Sequence, residues 1–175
     1  MIRSQEGIII VKKDAIDDGV SDDVLAHIDK NPAITIRGCT PLELSTPEIL
    51  DLYSPELLQD PSERREILMV MGAQAMTGTN LLLGVGIEGV ETREDGFVFL
   101  NSFKGSIRDT PEDGTIRGAF PFPRPEEFDN YSFWFQAPFF VRNRVHVPDS
   151  QDAIEAVEKV AYAHGVSVED LYGRS

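Results

Sequence analysis

The fold prediction starts from the stretch YSFWFQAPFFV, residues 131–141, which is rich in aromatic residues. Aromatic and β-branched residues are enriched in strands, so this stretch is predicted to supply strands at 131–135 and 139–141. The segments FVFL at 97–100 and TIR at 115–117 fit the same pattern. Several such segments separated by turn residues are typical of an antiparallel sheet with irregular connections.

The rest of the chain predicts helices and two further strands. The β-branched run at 7–12 predicts a buried strand, and the alternation at 33–37 predicts a second one. Capping residues predict helices that begin near Ser21, Thr46, Ser62 (reaching about Leu83) and Ser150 (reaching about His164). We therefore predict one α+β domain over residues 1–175, with an antiparallel, aromatic-rich sheet in the second half packed against several helices.

The charge of the chain excludes some classes of partner. Thirty acidic residues against 16 basic ones give a formal net charge of −14. Such a charge repels phosphate backbones and anionic membranes, so we expect no nucleic-acid and no membrane partner. A single cysteine excludes an intramolecular disulfide within the chain. Together with the absence of an N-terminal leader pattern, it predicts a soluble, cytoplasmic protein.

One glycine motif and three histidines are the possible cofactor and metal signals in the chain. Residues 84–89 read GVGIEG, the spacing of dinucleotide-binding loops, but such a loop requires a strand before it and a helix after it. Here a predicted helix precedes the motif and a short polar segment follows it, so no cofactor is expected. His27, His146 and His164 are scattered without metal-ligand spacing, so no metal site is expected. A nucleophile–base pair of Cys39 with a histidine would need tertiary structure to form it.

Candidate ligand-binding residues come from the second half of the chain. Arg142, Arg144 and His146 alternate, so in a strand they would project from one face and bind a carboxylate or a phosphate. The alternative is a solvated face whose arginines pair with neighbouring acids. Arg117 and Arg124 would join the cluster if their segments lie beside it. Trp134, facing inward from a concave sheet, would supply an apolar wall for a ligand.

Two functions follow from these observations, and catalytic residues stay unknown in both. The first is an acidic binding or regulatory protein that engages a basic protein partner, as an inhibitor, an immunity-type protein or an assembly subunit does. The alternative is a small enzyme or ligand carrier with an apolar aromatic pocket anchored by arginines. Self-association into a homo-oligomer is compatible with either function, since uncovered aromatic surface favours a partner.

Overall fold

The computed structural model of the protein describes residues 5–59, 62–106 and 112–173. Its strands form one antiparallel sheet in the order β2–β3–β1–β4. The strands are β1 (Gln5–Val11), β2 (Ile34–Leu44), β3 (Gly78–Ile87) and β4 (Val145–His146). The α-helices of the described ranges are α1 (Lys13–Asp17), α2 (Ser21–Asp29), α3 (Thr46–Gln59), α4 (Glu63–Met76), α5 (Arg93–Lys104), α6 (Ile116–Ala119), α7 (Phe133–Val141), α8 (Gln151–Ala163) and α9 (Val168–Tyr172).

Strand β1 lies inside the sheet and contributes to the core on both of its faces. Ile8 and Ile10 pack in one apolar cluster with residues of α3, α8 and α9. Ile9 and Val11 pack in a second cluster with residues of α2 and α5. Because side chains alternate across a strand, a strand covered on both faces is apolar throughout, which explains the continuous run at its centre.

The predicted α+β class, with an antiparallel sheet packed against helices, is confirmed, but most strands lie elsewhere in the chain. The run at 7–12, the start of β2, and the helices beginning near residues 21, 46, 62 and 150 were predicted correctly in position. The predicted strands at 97–100 and 139–141 are wrong, because these residues belong to α5 and α7. The predicted strands at 115–117 and 131–135 are wrong as well: α6 and α7 begin within them.

Local signals in α5 explain why an aromatic segment is helical. Thr92 and Asp95 form a reciprocal capping box that starts the helix. Phe97 and Leu100, three residues apart, are buried, whereas Val98 is 67% exposed. That is the spacing of a helix with one apolar face, and a short apolar run by itself does not distinguish a helix from a strand.

Residues 84–87 of the glycine motif belong to strand β3, which replaces the predicted end of a long helix. Helix α4 ends at Met76, and β3 begins two residues later. Gly84 pairs with Gly38 of β2, and the backbone of α9 lies directly on this pair. A β-carbon at Gly84 would lie 1.7 Å from the carbonyl oxygen of Leu171. The glycine therefore permits close packing of α9 on the sheet.

Strand β4 is held at the edge of the sheet by buried charged groups as well as by its short ladder with β1. Within that ladder His146 pairs with Ile10. Directly after β1 ends, the N–H of Lys12 donates to the carbonyl of Arg144 at 2.8 Å. The N–H of Arg144 in turn donates to Asp14 Oδ2 at 3.1 Å. The chain that follows β1 is thus bonded to the residue that leads into β4.

The side chain of Arg144 completes this attachment. Its Nη1 lies 3.7 Å from Asp14 Oδ2 and 2.5 Å from Asp18 Oδ2, and its Nε donates to the Phe120 carbonyl at 3.3 Å. Arg144 has a φ of 69°, a left-handed conformation that costs a residue with a β-carbon roughly 1–2 kcal/mol. The bonds around Arg144 stabilise that conformation. Because the backbone turns at Arg144, the side chains of residues 142–147 do not alternate as they would in the predicted strand.

The contact of α9 with the sheet predicts that Gly84→Ala is strongly destabilising. The added methyl group meets backbone rather than a movable side chain, so we expect the free energy of unfolding to fall by about 3 kcal/mol. Gly72→Ala, within α4, is the matched control, because its β-carbon would lie 3.8 Å from the side chains of Tyr53 and Val141, an ordinary contact distance. That variant is expected to be neutral or up to about 1 kcal/mol more stable. Urea denaturation measures both, and equal stability of the two variants would contradict the packing described.

The buried ion pair predicts different effects for two neighbouring arginines. Arg144→Met leaves the buried Asp14 without its cation, so we expect a loss of about 3 kcal/mol or more in the free energy of unfolding. Arg142 is exposed, so Arg142→Met is expected to change that free energy by less than about 0.5 kcal/mol. Denaturant titration of the two variants distinguishes them, and matching midpoints would show that the pair does not hold β4.

Candidate functional site

A cavity of about 290 Å³ lies between helices α3 and α4 on one side and β4 on the other. We call it the histidine cavity. Its volume is at the lower end of the range for small-molecule sites. The polar side chains on its wall are Lys12, Tyr53, Arg65, Lys104, Arg117, Asn143, His146 and Asp149. The larger apolar side chains are Leu57, Leu68, Met69, Phe140, Val141 and Val147.

His146 is the buried imidazole of this cavity. It is 8% exposed, and the ring of Tyr53 packs edge-on against it with 4.9 Å between the ring centroids. Burial holds the pKa of His146 well below its usual 6.5, and the positive charges of Lys104 and Lys12 lower it further. The ring is therefore neutral at physiological pH. A neutral imidazole has one nitrogen with a lone pair, which acts as a nucleophile or a base.

Cations dominate the rest of the wall. Four cationic side chains, those of Lys12, Arg65, Lys104 and Arg117, line the cavity together with a single carboxylate, that of Asp149. This excess of positive charge lies in a chain whose formal net charge is −14. A concave site lined by one sign of charge concentrates ligands of the opposite sign. The cavity is therefore suited to an anion with several negative charges, such as a polyphosphate.

Two of these cations are fixed by carbonyl oxygens of the segment that leads to His146. Lys12 Nζ donates to the Val141 carbonyl and, at 3.2 Å, to Asn143 Oδ1. Arg117 Nη2 donates to the Val145 carbonyl at 3.3 Å. Burial lowers the pKa of Lys12 to about 8 and that of Arg117 to about 10, so both remain positively charged at neutral pH. The charges are thus in place before any ligand arrives.

The four residues named as ligand-binding candidates occupy different places in the structure. His146 lies in the histidine cavity, while Arg144 is buried in its ion pair with Asp14. Arg142 is exposed and stacks on Phe122. Trp134 is 64% exposed on α7 and does not line the histidine cavity. The structure therefore does not bring the four together on one face, because no strand runs from 142 to 147.

The additional arginines and the cysteine are also separated. Arg117 joins His146 in the histidine cavity, as the sequence allowed, whereas Arg124 packs over the ring of Phe128. Cys39 is exposed in the middle of β2, and the ring of His27 stacks on Phe103. Neither of them lines the cavity.

The sequence did not identify the remaining polar residues of the cavity. These are Lys12, Tyr53, Arg65, Lys104, Asn143 and Asp149, most of which lie far apart in the chain, so no motif connects them. One signal was present: Lys12 directly follows a strand that is apolar on both faces. A lysine in that position is rarely buried unless its charge is used.

The comparison with solved structures finds proteins of a similar fold. No protein-family model matches the sequence, and a search of curated proteins finds no relative. Among solved structures, a nucleoside-diphosphate kinase from Borrelia burgdorferi, described as a transition-state mimic with bound vanadate and ADP, is 18% identical. The match covers 89% of this chain and 85% of that chain, with a TM-score of 0.64.

Two further structures of this kind are similar. An NDP kinase from Pyrobaculum aerophilum is 21% identical over 89% of this chain and 94% of that chain, with a TM-score of 0.60. The nucleoside diphosphate kinase of Aquifex aeolicus is 15% identical over 97% of this chain and 99% of that chain, with a TM-score of 0.63. At these identities the likeness shows a shared α+β fold.

These findings correct the predicted function. The main prediction, an acidic binding or regulatory protein for a basic partner, is wrong: the structural neighbours are enzymes, and the histidine cavity is cationic. The alternative prediction, a small enzyme or ligand carrier with a pocket anchored by arginines, agrees better with them.

Each helix in the described ranges falls short of the length and apolar character that a bilayer span requires.

Proposed function

We propose that the protein transfers phosphoryl groups between nucleotides through a phosphohistidine formed on His146. The observation that carries this proposal is a neutral, buried imidazole in a cavity whose wall carries four cationic side chains. The shared fold supports it, since the Borrelia burgdorferi neighbour is a nucleoside-diphosphate kinase described with vanadate and ADP. The low identity leaves the activity to be tested on this chain.

The proposed reaction has two half-reactions. In the first, the unprotonated nitrogen of His146 attacks the terminal phosphorus of a nucleoside triphosphate. A P–N bond forms, the P–O bond to the second phosphate breaks, and the diphosphate leaves with the electron pair. In the second, the terminal oxygen of another nucleoside diphosphate attacks the phosphohistidine, and the P–N bond breaks. The imidazole is then neutral again, and a new triphosphate is released.

The cations of the cavity supply the electrostatic part of catalysis. Negative charge on the transferring group is spread over its oxygens in the transition state, so fixed cations around it lower the barrier. Lys12 and Arg117 are held by carbonyls close to His146, and Lys104 and Arg65 line the same wall. A neutral imidazole accepts the phosphoryl group without first losing a proton. The lowered pKa of His146 keeps its imidazole in this neutral form.

The apolar part of the cavity provides a place for the nucleoside. Leu57 of α3, with Leu68 and Met69 of α4, forms an apolar wall of the same cavity. Such side chains bind the faces of a base by contact and without hydrogen bonds that would select one base. We therefore expect several nucleoside diphosphates to serve as acceptors.

A cytoplasmic location, self-association and a basic protein partner stay predictions from the sequence.

The proposal predicts that the protein becomes labelled by ATP carrying ³²P in its terminal phosphate, with Mg²⁺ as the nucleotide's counter-ion. The label is expected to be lost in acid and stable in alkali, as a P–N bond to imidazole is. Addition of unlabelled CDP is then expected to move the label into CTP. His146→Gln is expected to abolish both labelling and transfer, because no nucleophile remains.

His164→Gln is the matched control for this experiment. His164 is an exposed histidine whose Nε2 lies 2.8 Å from Glu48 Oε1, and it does not line the histidine cavity. We expect this variant to label at the wild-type rate. Labelling that persists in His146→Gln, or a wild-type protein that takes up no label, would contradict the proposed function.

A further inference from the structure

A second cavity of about 310 Å³ lies beside the first, on the other side of Arg117 and Asn143, which line both. We call it the arginine cavity. Its principal side chains are Arg117, Arg124, Arg142, Phe120, Phe122 and Phe139. All of them except Arg117 come from residues 120–142.

The wall of this cavity carries three guanidinium groups, and no carboxylate of the described residues lines it. In a chain with 30 acidic and 16 basic residues, three arginines that line one cavity are unexpected for a solvated surface. Arg142 forms no ion pair within the described ranges. The guanidinium of Arg142 is therefore available to an anion from outside the chain.

Two of the three arginines lie over aromatic rings. Cζ of Arg142 lies 5.7 Å from the ring centroid of Phe122, and Cζ of Arg124 lies 4.8 Å from that of Phe128. Phe122 in turn packs edge-on against Phe139 at 5.9 Å. A cation over an aromatic face keeps its N–H groups at the edge, where they can bind an oxyanion in the plane of the guanidinium.

We propose that the arginine cavity is a second binding site, which takes an organic phosphate attached to an aromatic ring. The planar guanidinium of Arg142 can bind two phosphate oxygens at once. A wall that carries three arginines and no carboxylate of the described residues favours a doubly charged phosphate over a singly charged carboxylate. The rings of Phe120, Phe122 and Phe139 supply faces and edges for the aromatic part of the ligand. This site does not depend on phosphoryl transfer at His146.

Phenyl phosphate is the probe, because it combines the two features in the smallest molecule. It is titrated into the full chain by calorimetry, without any nucleotide, so the result is independent of the proposed activity. We expect a binding event that Arg142→Ala weakens at least tenfold. Benzoate and inorganic phosphate are each expected to bind at least tenfold more weakly than phenyl phosphate.

Two variants separate this site from its alternatives. Arg64→Ala also removes an arginine stacked on a ring, Phe133, but outside both cavities, so it is expected to bind as the wild type does. Arg65→Ala alters a residue that lines the histidine cavity alone, so the Arg142-dependent event is expected to persist. The proposal is overturned if Arg142→Ala binds as the wild type does, if only Arg65→Ala weakens binding, or if either reference anion binds as tightly as phenyl phosphate.

Discussion

The bonds that attach residues 141–147 to the end of β1 are the constraint on which the site depends. Arg144 adopts a left-handed backbone conformation, and its ion pair with Asp14 lies in the buried part of the molecule. Lys12 donates to the same segment from its backbone and from its side chain. Since β4 has only two residues, these bonds rather than a long ladder decide where His146 lies.

The same bonds explain the chemistry of the cavity. Buried cations are costly unless their N–H groups are satisfied, and here carbonyl oxygens satisfy them without cancelling their charge. Lys12 and Arg117 therefore remain positive beside His146 and disfavour its protonated form. One arrangement thus gives a neutral nucleophile and a positive environment for the group that it would receive. Both features on which the proposed phosphoryl transfer rests follow from one set of contacts.

Local sequence patterns predicted local structure well and the site only in part. Strand β1 and helix α8 follow from runs of adjacent residues, such as the N-cap at Ser150, and were predicted in place. The aromatic segments were not, because a short apolar run carries no period that separates strand from helix.

Within the site, His146 and Arg117 were named as candidates, whereas Lys12 and Lys104 were not. Their roles depend on long-range packing, which residue spacing does not encode. Arg142 and Arg144 look equivalent in the sequence but differ in burial, because the backbone turns at Arg144. A positive φ at a residue other than glycine has no sequence signal here.

The protonation state of His146 tests the central claim most directly. NMR of the full chain with ¹⁵N-labelled histidine, titrated from about pH 8 to 5.5, follows each imidazole separately. The account predicts that His146 stays neutral well below pH 6.5. The unfolded chain would take up that proton near pH 6.5, so stability should be complete above this pH and decrease as the pH falls below it. An imidazole of His146 that titrates at or above pH 6.5 would contradict the account.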